Sequence, residues 1–345
     1  MSASLARQTL LPLTLLYAAG VRFKNAAYDR GLVRAARLAW PVISVGNLSV
    51  GGAGKTPMVL LLAELLAKQG WEADVLSRGY GRTSRAVARV KPDGTVAEFG
   101  DEPLLMARRG LAVYAGAERF QAGVLAEQDA SRAQDGRPRL HLLDDGFQHR
   151  RLMRNIDIVL VRRADLSDDM LPAGRLREPL SSLERAGICV LRQEDADLSG
   201  QVLRLMRSED ATRVWNIERR TVVPEGLPRR SFAFCALGEP EGFFRGLRAA
   251  GVALQGTLAF RDHHVFTDRD VDRIIAAARN CGAQCLLMTE KDDMRLEAPL
   301  RSRLQAQFPL AVAGLAVSLR DEPDAMARLL ELLAQRLQLS RRAVR

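Results

Sequence analysis

Residues Ile43 to Gly70, "ISVGNLSVGGAGKTPMVLLLAELLAKQG", run from an apolar segment through a cluster of glycines into Lys55, Thr56 and an amphipathic stretch. A glycine-rich turn between a strand and a helix aims backbone N–H groups, and the positive end of the helix dipole, at one spot, which suits a phosphate. Lys55 adds a mobile positive charge there, and Thr56 offers a hydroxyl to Mg²⁺. The stretch follows the pattern GxxxxGK[ST] except that Ser49 stands in place of the first glycine. Ser49, Val50, Gly51, Gly52, Ala53, Gly54, Lys55 and Thr56 are therefore the expected nucleotide-binding residues. "WPVISVGNL" reads as a buried strand, and Pro57 and Gly70 bound the helix that follows. That setting argues against a glycine turn without a ligand.

Outward from this loop, apolar strand patterns alternate with helical ones: "EADVLSRGYGR", "LAVYAG", "ERFQAGVLAEQ", "RLHLLDDG" and "IDIVLVR". Such alternation predicts a mostly parallel α/β sheet with helices on both faces, and ligands bind at the carboxyl ends of its strands. The pattern loosens into charge-rich sequence with Pro224, Gly226 and Pro228, and a second βα series follows from "SFAFCALG". The expected layout is an N-terminal helix over 1–30, a P-loop core over 31–210, a linker over 211–230, a second α/β domain over 231–337 and a basic tail over 338–345.

The net charge of +10 favours an anionic partner: nucleic acid, anionic lipid or a phosphorylated substrate. Aromatics make up only 5%, and no stretch interleaves them with Arg or Lys, which argues against nucleic acid. Four scattered cysteines suit a reducing compartment rather than a disulfide scaffold. Cys281 and Cys285 lack nearby partners in sequence for a zinc site and read as thiols. The apolar run "LLPLTLLYAAGV" would rise roughly 18 Å as a helix against a hydrocarbon core of about 30 Å, too short to span it. Arg22 and Lys24 oppose translocation. A helix lying in a membrane interface and one packed on the domain both fit the segment.

A P-loop needs a second anchor for Mg²⁺, and Asp144 and Asp145 end an apolar strand in "RLHLLDDGFQHRR". The alternative is a solvated turn. In "FGDEPLLM", Asp101 reads either as a helix N-cap or as a general base taking a proton from an attacking hydroxyl. Arginines recur in "SRGYGR", after the Asp pair and in "LPAGRLREPL", where guanidinium groups suit phosphate recognition. In "AFRDHHVFTD", His263 and His264 are two of only four histidines, and one of them could face the P-loop across a cleft.

Together, "VGNLSVGGAGKTP", "LSRGYGR", "GDEP", "LLDDGFQHR", "LPAGRLREP", "DHH" and "TEKD" resemble, in order and over nearly the whole chain, the tetraacyldisaccharide 4′-kinase family of lipid A biosynthesis. The resemblance implies two α/β/α sandwich domains, the first P-loop NTPase-like and the second smaller, with the active site in the cleft between them. It implies transfer of the γ-phosphate of ATP to the 4′-hydroxyl of an acylated disaccharide 1-phosphate lipid, at the cytoplasmic face of a bacterial inner membrane. By motif matching, Lys55 and Thr56 serve ATP and Mg²⁺, and Asp144 and Asp145 the metal site. Asp101 takes the hydroxyl proton with His263 as its partner, and Arg177 and Glu178 match the family's active-site motif, the latter expected at the metal. The N-terminal segment becomes an interfacial anchor.

The rival reading is a membrane-associated P-loop switch. A partitioning ATPase carries a lysine before the paired glycines, where this chain has Val50, and "MTEKDD" places its lysine one position too late for guanine recognition.

Overall fold

The computed structural model describes residues 3–130, 136–228 and 230–342, with side chains from Thr9 to Leu339. Its strands are β1 (Val42–Asn47), β2 (Glu72–Ser77), β3 (Ala88–Arg89), β4 (Val113–Ala115), β5 (Arg139–Asp144) and β6 (Ile156–Leu160). After these come β7 (Ile188–Arg192), β8 (Val214–Val222), β9 (Ser231–Cys235), β10 (Leu254–Ala259), β11 (Cys285–Thr289) and β12 (Leu310–Leu319). They form one twelve-stranded sheet in the order β10-β9-β11-β12-β8-β7-β6-β1-β5-β2-β4-β3. Pairing is parallel except for β3–β4 and β8–β12. Two parallel blocks, one per half of the chain, thus meet across a single antiparallel joint.

The central strands are buried along their length, as a sheet covered on both faces requires. Helix Lys55–Lys68 lays Met58, Val59, Leu62, Leu65 and Leu66 on β1 and its neighbours. A separate core of Phe232, Phe234, Phe266, Ile274, Leu286 and Met288 fills the second half. β1 lies between β5 and β6, with Val45 opposite both Asp144 and Ile158. The glycine loop and the Asp pair therefore leave the same edge of the sheet side by side.

Three expectations change. The region expected as a linker, 211–230, contains β8. Its charged residues Glu218, Arg219 and Arg220 are exposed because β8 and β12 leave the layered core there as a two-stranded ribbon. The last helix, Glu322–Arg342, does not stay with the second half: β12 carries the chain back, and Ala325, Met326, Leu329 and Leu333 join the first core. This helix also runs into the expected basic tail, of which 343–345 lie outside the described residues. Finally, the charged run after β11 is helix Glu290–Arg295, started by Thr289, whose side chain accepts from the Asp292 N–H.

Among the described residues, no helix is long and apolar enough to cross a membrane. Helix Ala3–Asp29 packs Ala18 and Val21 against the core beside Phe147 and Leu176. It leaves Leu13, Leu15, Leu16 and Phe23 exposed.

At the far edge of the core, fully buried His141 places Nδ1 2.7 Å from Asp74 and Nε2 3.3 Å from Glu127, with Trp40 stacked on its ring. Burial alone would lower its pKa, but the two carboxylates outweigh that and lift it to about 9. Burial also pulls Asp74 upward, while Glu127 is held below its ordinary value despite burial, by His141 and the Trp40 N–H. We place the shared proton on the imidazole, because it has two acidic acceptors. A histidine raised in the folded state stabilises fully below its unfolded value near 6.5, and that contribution is lost as pH rises through about 9. His141→Gln should cost about 3 kcal/mol near pH 6. Melting curves from pH 6 to 10 should show the deficit shrinking at the alkaline end; a constant deficit would remove the charge from the account.

Candidate active site

Residues 48–50 do not hang free. Leu48 O accepts from Arg177 N at 2.7 Å, Val50 N donates to Arg175 O at 2.8 Å, and Ser49 bridges to Leu176. This pairing is why "GRLRE" lies beside the P-loop. Ser49, in the glycine's place, is buried, and its hydroxyl accepts from Arg162 Nη2 at 2.8 Å. Arg162 also binds Asp165 and, from the second half, Glu239 at 2.7 Å. Nothing in the sequence reading pointed to Arg162. Gly51 and Gly54 have φ of +104° and +93°, which only glycine adopts without strain, and a Cβ on Gly51 would lie 2.7 Å from Arg175 Nη2. Gly54 then starts the helix, so Lys55 and buried Thr56 fall in its first turn.

Lys55 Nζ lies 3.2 Å from Asn47 Oδ1 and 3.5 Å from Asp145. Arg177 grips Asp145 with both Nη atoms, at 3.0 and 2.9 Å. Burial would raise Asp145, but Arg177 and Lys55 hold it down to about 2. Asp144, one residue earlier, goes the other way: burial first, then Glu102 and Asp145, push it up to about 7. Ser77 donates to its Oδ2 at 3.3 Å, while its Oδ1 is buried with no hydrogen-bond partner. A deeply buried carboxylate oxygen without a donor, crowded by two acids beside a P-loop threonine, fits a hard cation. Thr56 and Asp144 are the residues placed to hold one, with Asp145 beside them.

Glu178, expected at the metal, is placed elsewhere. Its carboxylate accepts from Asn25 Nδ2 at 2.8 Å and from Arg185 at 2.9 Å, tying the N-terminal helix to the core. Arg150 and Arg154 likewise serve structure, on Asp29 and Asp157.

The second cluster is centred on Asp101. The residue that caps its helix is Gly100, with φ +85° and no room for a side chain against Tyr80 O, so Asp101 is the first helical residue and the N-cap reading does not hold. Asp101 is buried; Oδ1 accepts from Glu102 N at 3.0 Å and Oδ2 from Arg295. His263 Nδ1 lies 3.3 Å from that Oδ2 and 3.0 Å from Arg295 Nη2. Burial would raise the Asp101 pKa, but the His263 hydrogen bond and the charges of Lys291 and Arg295 hold it well below the carboxylate range. The Asp101 hydrogen bond, in turn, raises His263. His263 sits at φ +57°, partly exposed, with Tyr80 against its ring. His264 faces away, stacked on Phe260 and 2.9 Å from Asp270.

In sequence Lys291 appeared only as part of "TEKD", and Arg295 went unnoticed. They lie four apart on one face of the short helix Glu290–Arg295, Lys291 reaching Glu102 at 2.8 Å. Glu102 in turn acts on Asp144. A continuous row of charged groups thus runs from Lys55 and Asp145 through Asp144, Glu102 and Lys291 to Asp101, Arg295 and His263. It strings the glycine loop, the buried Asp144 carboxylate and the Asp101–His263 pair together.

Residues 6–334 match the family model described as tetraacyldisaccharide-1-P 4′-kinase. A tetraacyldisaccharide 4′-kinase of Koribacter versatilis is 42% identical over 335 residues, covering 94% of this chain and 99% of that protein. Its counterpart in Geobacter metallireducens is 39% identical over 329 residues, covering 90% and 94%. A crystal structure of LpxK from Aquifex aeolicus in complex with ATP superposes with a TM-score of 0.72 at 32% identity, covering 95% of this chain and 99% of that one. A match over nearly the whole length, on a fold that carries this row of groups, makes the chain a member of the tetraacyldisaccharide-1-P 4′-kinase family.

Proposed function

We propose that the chain transfers the γ-phosphate of ATP to the 4′-hydroxyl of a tetraacyldisaccharide 1-phosphate, at a membrane surface, in lipid A biosynthesis. The observation that carries this is the Asp101–His263 pair standing on the same cleft as the P-loop. A switch needs a phosphate cradle, but it has no use for a second acid–base pair beside it. The direct test supplies labelled ATP, Mg²⁺ and the disaccharide lipid in detergent: label must appear on the lipid, and release only as free phosphate would return the protein to the ATPase reading.

Phosphoryl transfer is mostly positioning and charge neutralisation. Backbone N–H groups of 51–56 and Lys55 hold the phosphates, and Arg177, beside Asn47 and Asp145, adds a second cation. Thr56 and Asp144, with Asp145 alongside, would hold Mg²⁺, which would neutralise phosphate charge. Asp101 stays ionised at neutral pH, the form that accepts a proton. Buried Arg295 and the peptide N–H of Glu102 fix its carboxylate, leaving half-exposed His263 as the flexible member of the pair. The Asp101–His263 pair takes the hydroxyl proton as the acceptor oxygen attacks.

Lys55→Ala and Thr56→Ala should each nearly abolish transfer while leaving the melting temperature within a few degrees, because Arg177 still holds Asp145 when Lys55 is lost and alanine fits in the space of Thr56. Normal turnover in either would take the P-loop out of the mechanism. Asp101→Asn should lower turnover roughly 100- to 10,000-fold with ATP affinity little changed. Turnover and nucleotide titration on the same folded variant check this, and near-normal turnover would reduce Asp101 to an anchor for Arg295.

Membrane attachment rests on the outward face of helix Ala3–Asp29. Truncation is a poor probe, because Tyr17 donates to Arg177 O and Lys24 to Gln148 O beside the site. Replacing exposed Leu15, Leu16 and Phe23 together by Glu should instead release the protein from the membrane fraction while detergent-assayed ATP binding is kept. Continued sedimentation with membranes would place the attachment elsewhere.

A further inference from the structure

At the opposite end of the sheet from the P-loop lies a cavity of about 460 Å³. Arg154, Gly187 and Arg213, which border it, precede β6, β7 and β8, so the cavity opens at the strands' amino ends. β6 pairs in register with β1 from Ile43 to Asn47, which sets the cavity about 15 Å from the nucleotide loop. Its roof is the last helix, Glu322–Arg342.

Five arginines and two carboxylates face this space. Arg154 takes Asp157 at 3.0 and 3.1 Å, Arg328 takes both Asp210 and, from its own helix, Glu331 at 2.6 Å, and Arg185 is held by Glu178 at 2.9 Å. Among the described residues, Arg213 donates to the carbonyls of Gly187 and Ala186, at 2.8 and 2.5 Å, and has no carboxylate in direct contact. Arg336 has no hydrogen-bond or ion-pair partner among the described residues. The Nε atoms of Arg185 and Arg328 are buried without a partner. Burial first, and then Arg328 and Arg336, lower Arg213 below its ordinary value, despite the opposing pull of Asp210. Buried donors that find no acceptor are costly, and a surplus of guanidinium groups around them defines what would relieve that cost. Leu332 and Leu339 supply an apolar wall beside the charge.

We propose that this cavity is a second anion site, taking a phosphate monoester with its charge between Arg213 and Arg336 and its organic part along Leu332 and Leu339. It is separate from the nucleotide loop and stands whether or not the transfer reaction is as given above. The phosphate could belong to a lipid head group or to a soluble metabolite.

The test is calorimetric titration of the full chain with two probes, dihexanoyl phosphatidic acid below its micellar concentration and glycerol 3-phosphate. Each is compared with Arg336→Glu and Gln335→Glu, surface changes on the roof that leave the transfer machinery untouched. Binding of at least one probe should fall roughly 10- to 100-fold in both variants at unchanged transfer activity, the loss expected for a charge-assisted contact. Loss confined to phosphatidic acid assigns a lipid head group, and loss for glycerol phosphate a soluble ligand. If neither probe binds at millimolar concentration, or both bind the variants as they bind the parent, the site does not exist. Should Arg336→Glu fail to fold, Gln335→Glu alone decides.

Discussion

Asp101 and Arg295 stand 194 residues apart in the chain, and both are almost wholly removed from water. Either charge left alone in that place would cost several kcal/mol, so neither half of the protein can form its side of the cleft without the other. The pair holds helix Asp101–Arg108 against helix Glu290–Arg295, and Arg109–Glu290 and Lys291–Glu102 repeat the tie on either side. The β8–β12 ribbon joins the two halves as chain, but this ion-pair row joins them as a site. It also sets the Asp101 carboxylate at the boundary, where the second half contributes His263.

The charges toward the P-loop are arranged on a different rule. Asp144 and Asp145 are adjacent in sequence, yet one is raised to about 7 and the other lowered to about 2. The split follows from which cations reach which oxygen. Arg177 and Lys55 converge on Asp145, and Asp144 keeps a single weak donor in Ser77. The two neighbouring acids are thus driven apart: the paired one is fixed by basic side chains, and the unpaired one keeps a buried oxygen without a donor.

The P-loop and the Asp pair stood out in sequence because each is a contiguous stretch at the carboxyl end of a strand, whereas Asp101 lies where two helices meet and was marked only by its place in "GDEP". Arg295 did not stand out, since its only local signal is a four-residue spacing on a helix six residues long, and its partner is in the other half. Glu178 misled for a related reason: it adjoins Arg177, but its neighbours are Asn25 and Arg185, which only the packing of the N-terminal helix brings near. β8 was hidden by its own charge. A strand in a ribbon beyond Ile217 can carry arginine and glutamate, and composition then reads it as linker.

The same Glu178 shows why the N-terminal helix is more than an attached segment. Asn25 binds Glu178, Tyr17 reaches the carbonyl of Arg177 at 3.1 Å, and Arg177 is the residue that grips Asp145. Arg150 closes the other side on Asn25 and Asp29. The inward face of the helix is therefore polar where it meets the site, and the outward face is apolar where Leu15, Leu16 and Phe23 are exposed. A helix that lay down on a bilayer through its outward face would hold the 177–178 segment, and with it the P-loop strand pairing at 48–50, at a fixed height above the lipid. For a reaction whose acceptor hydroxyl belongs to a lipid, that height is itself a substrate-positioning term, set by the packing of one helix on Phe147 and Leu176.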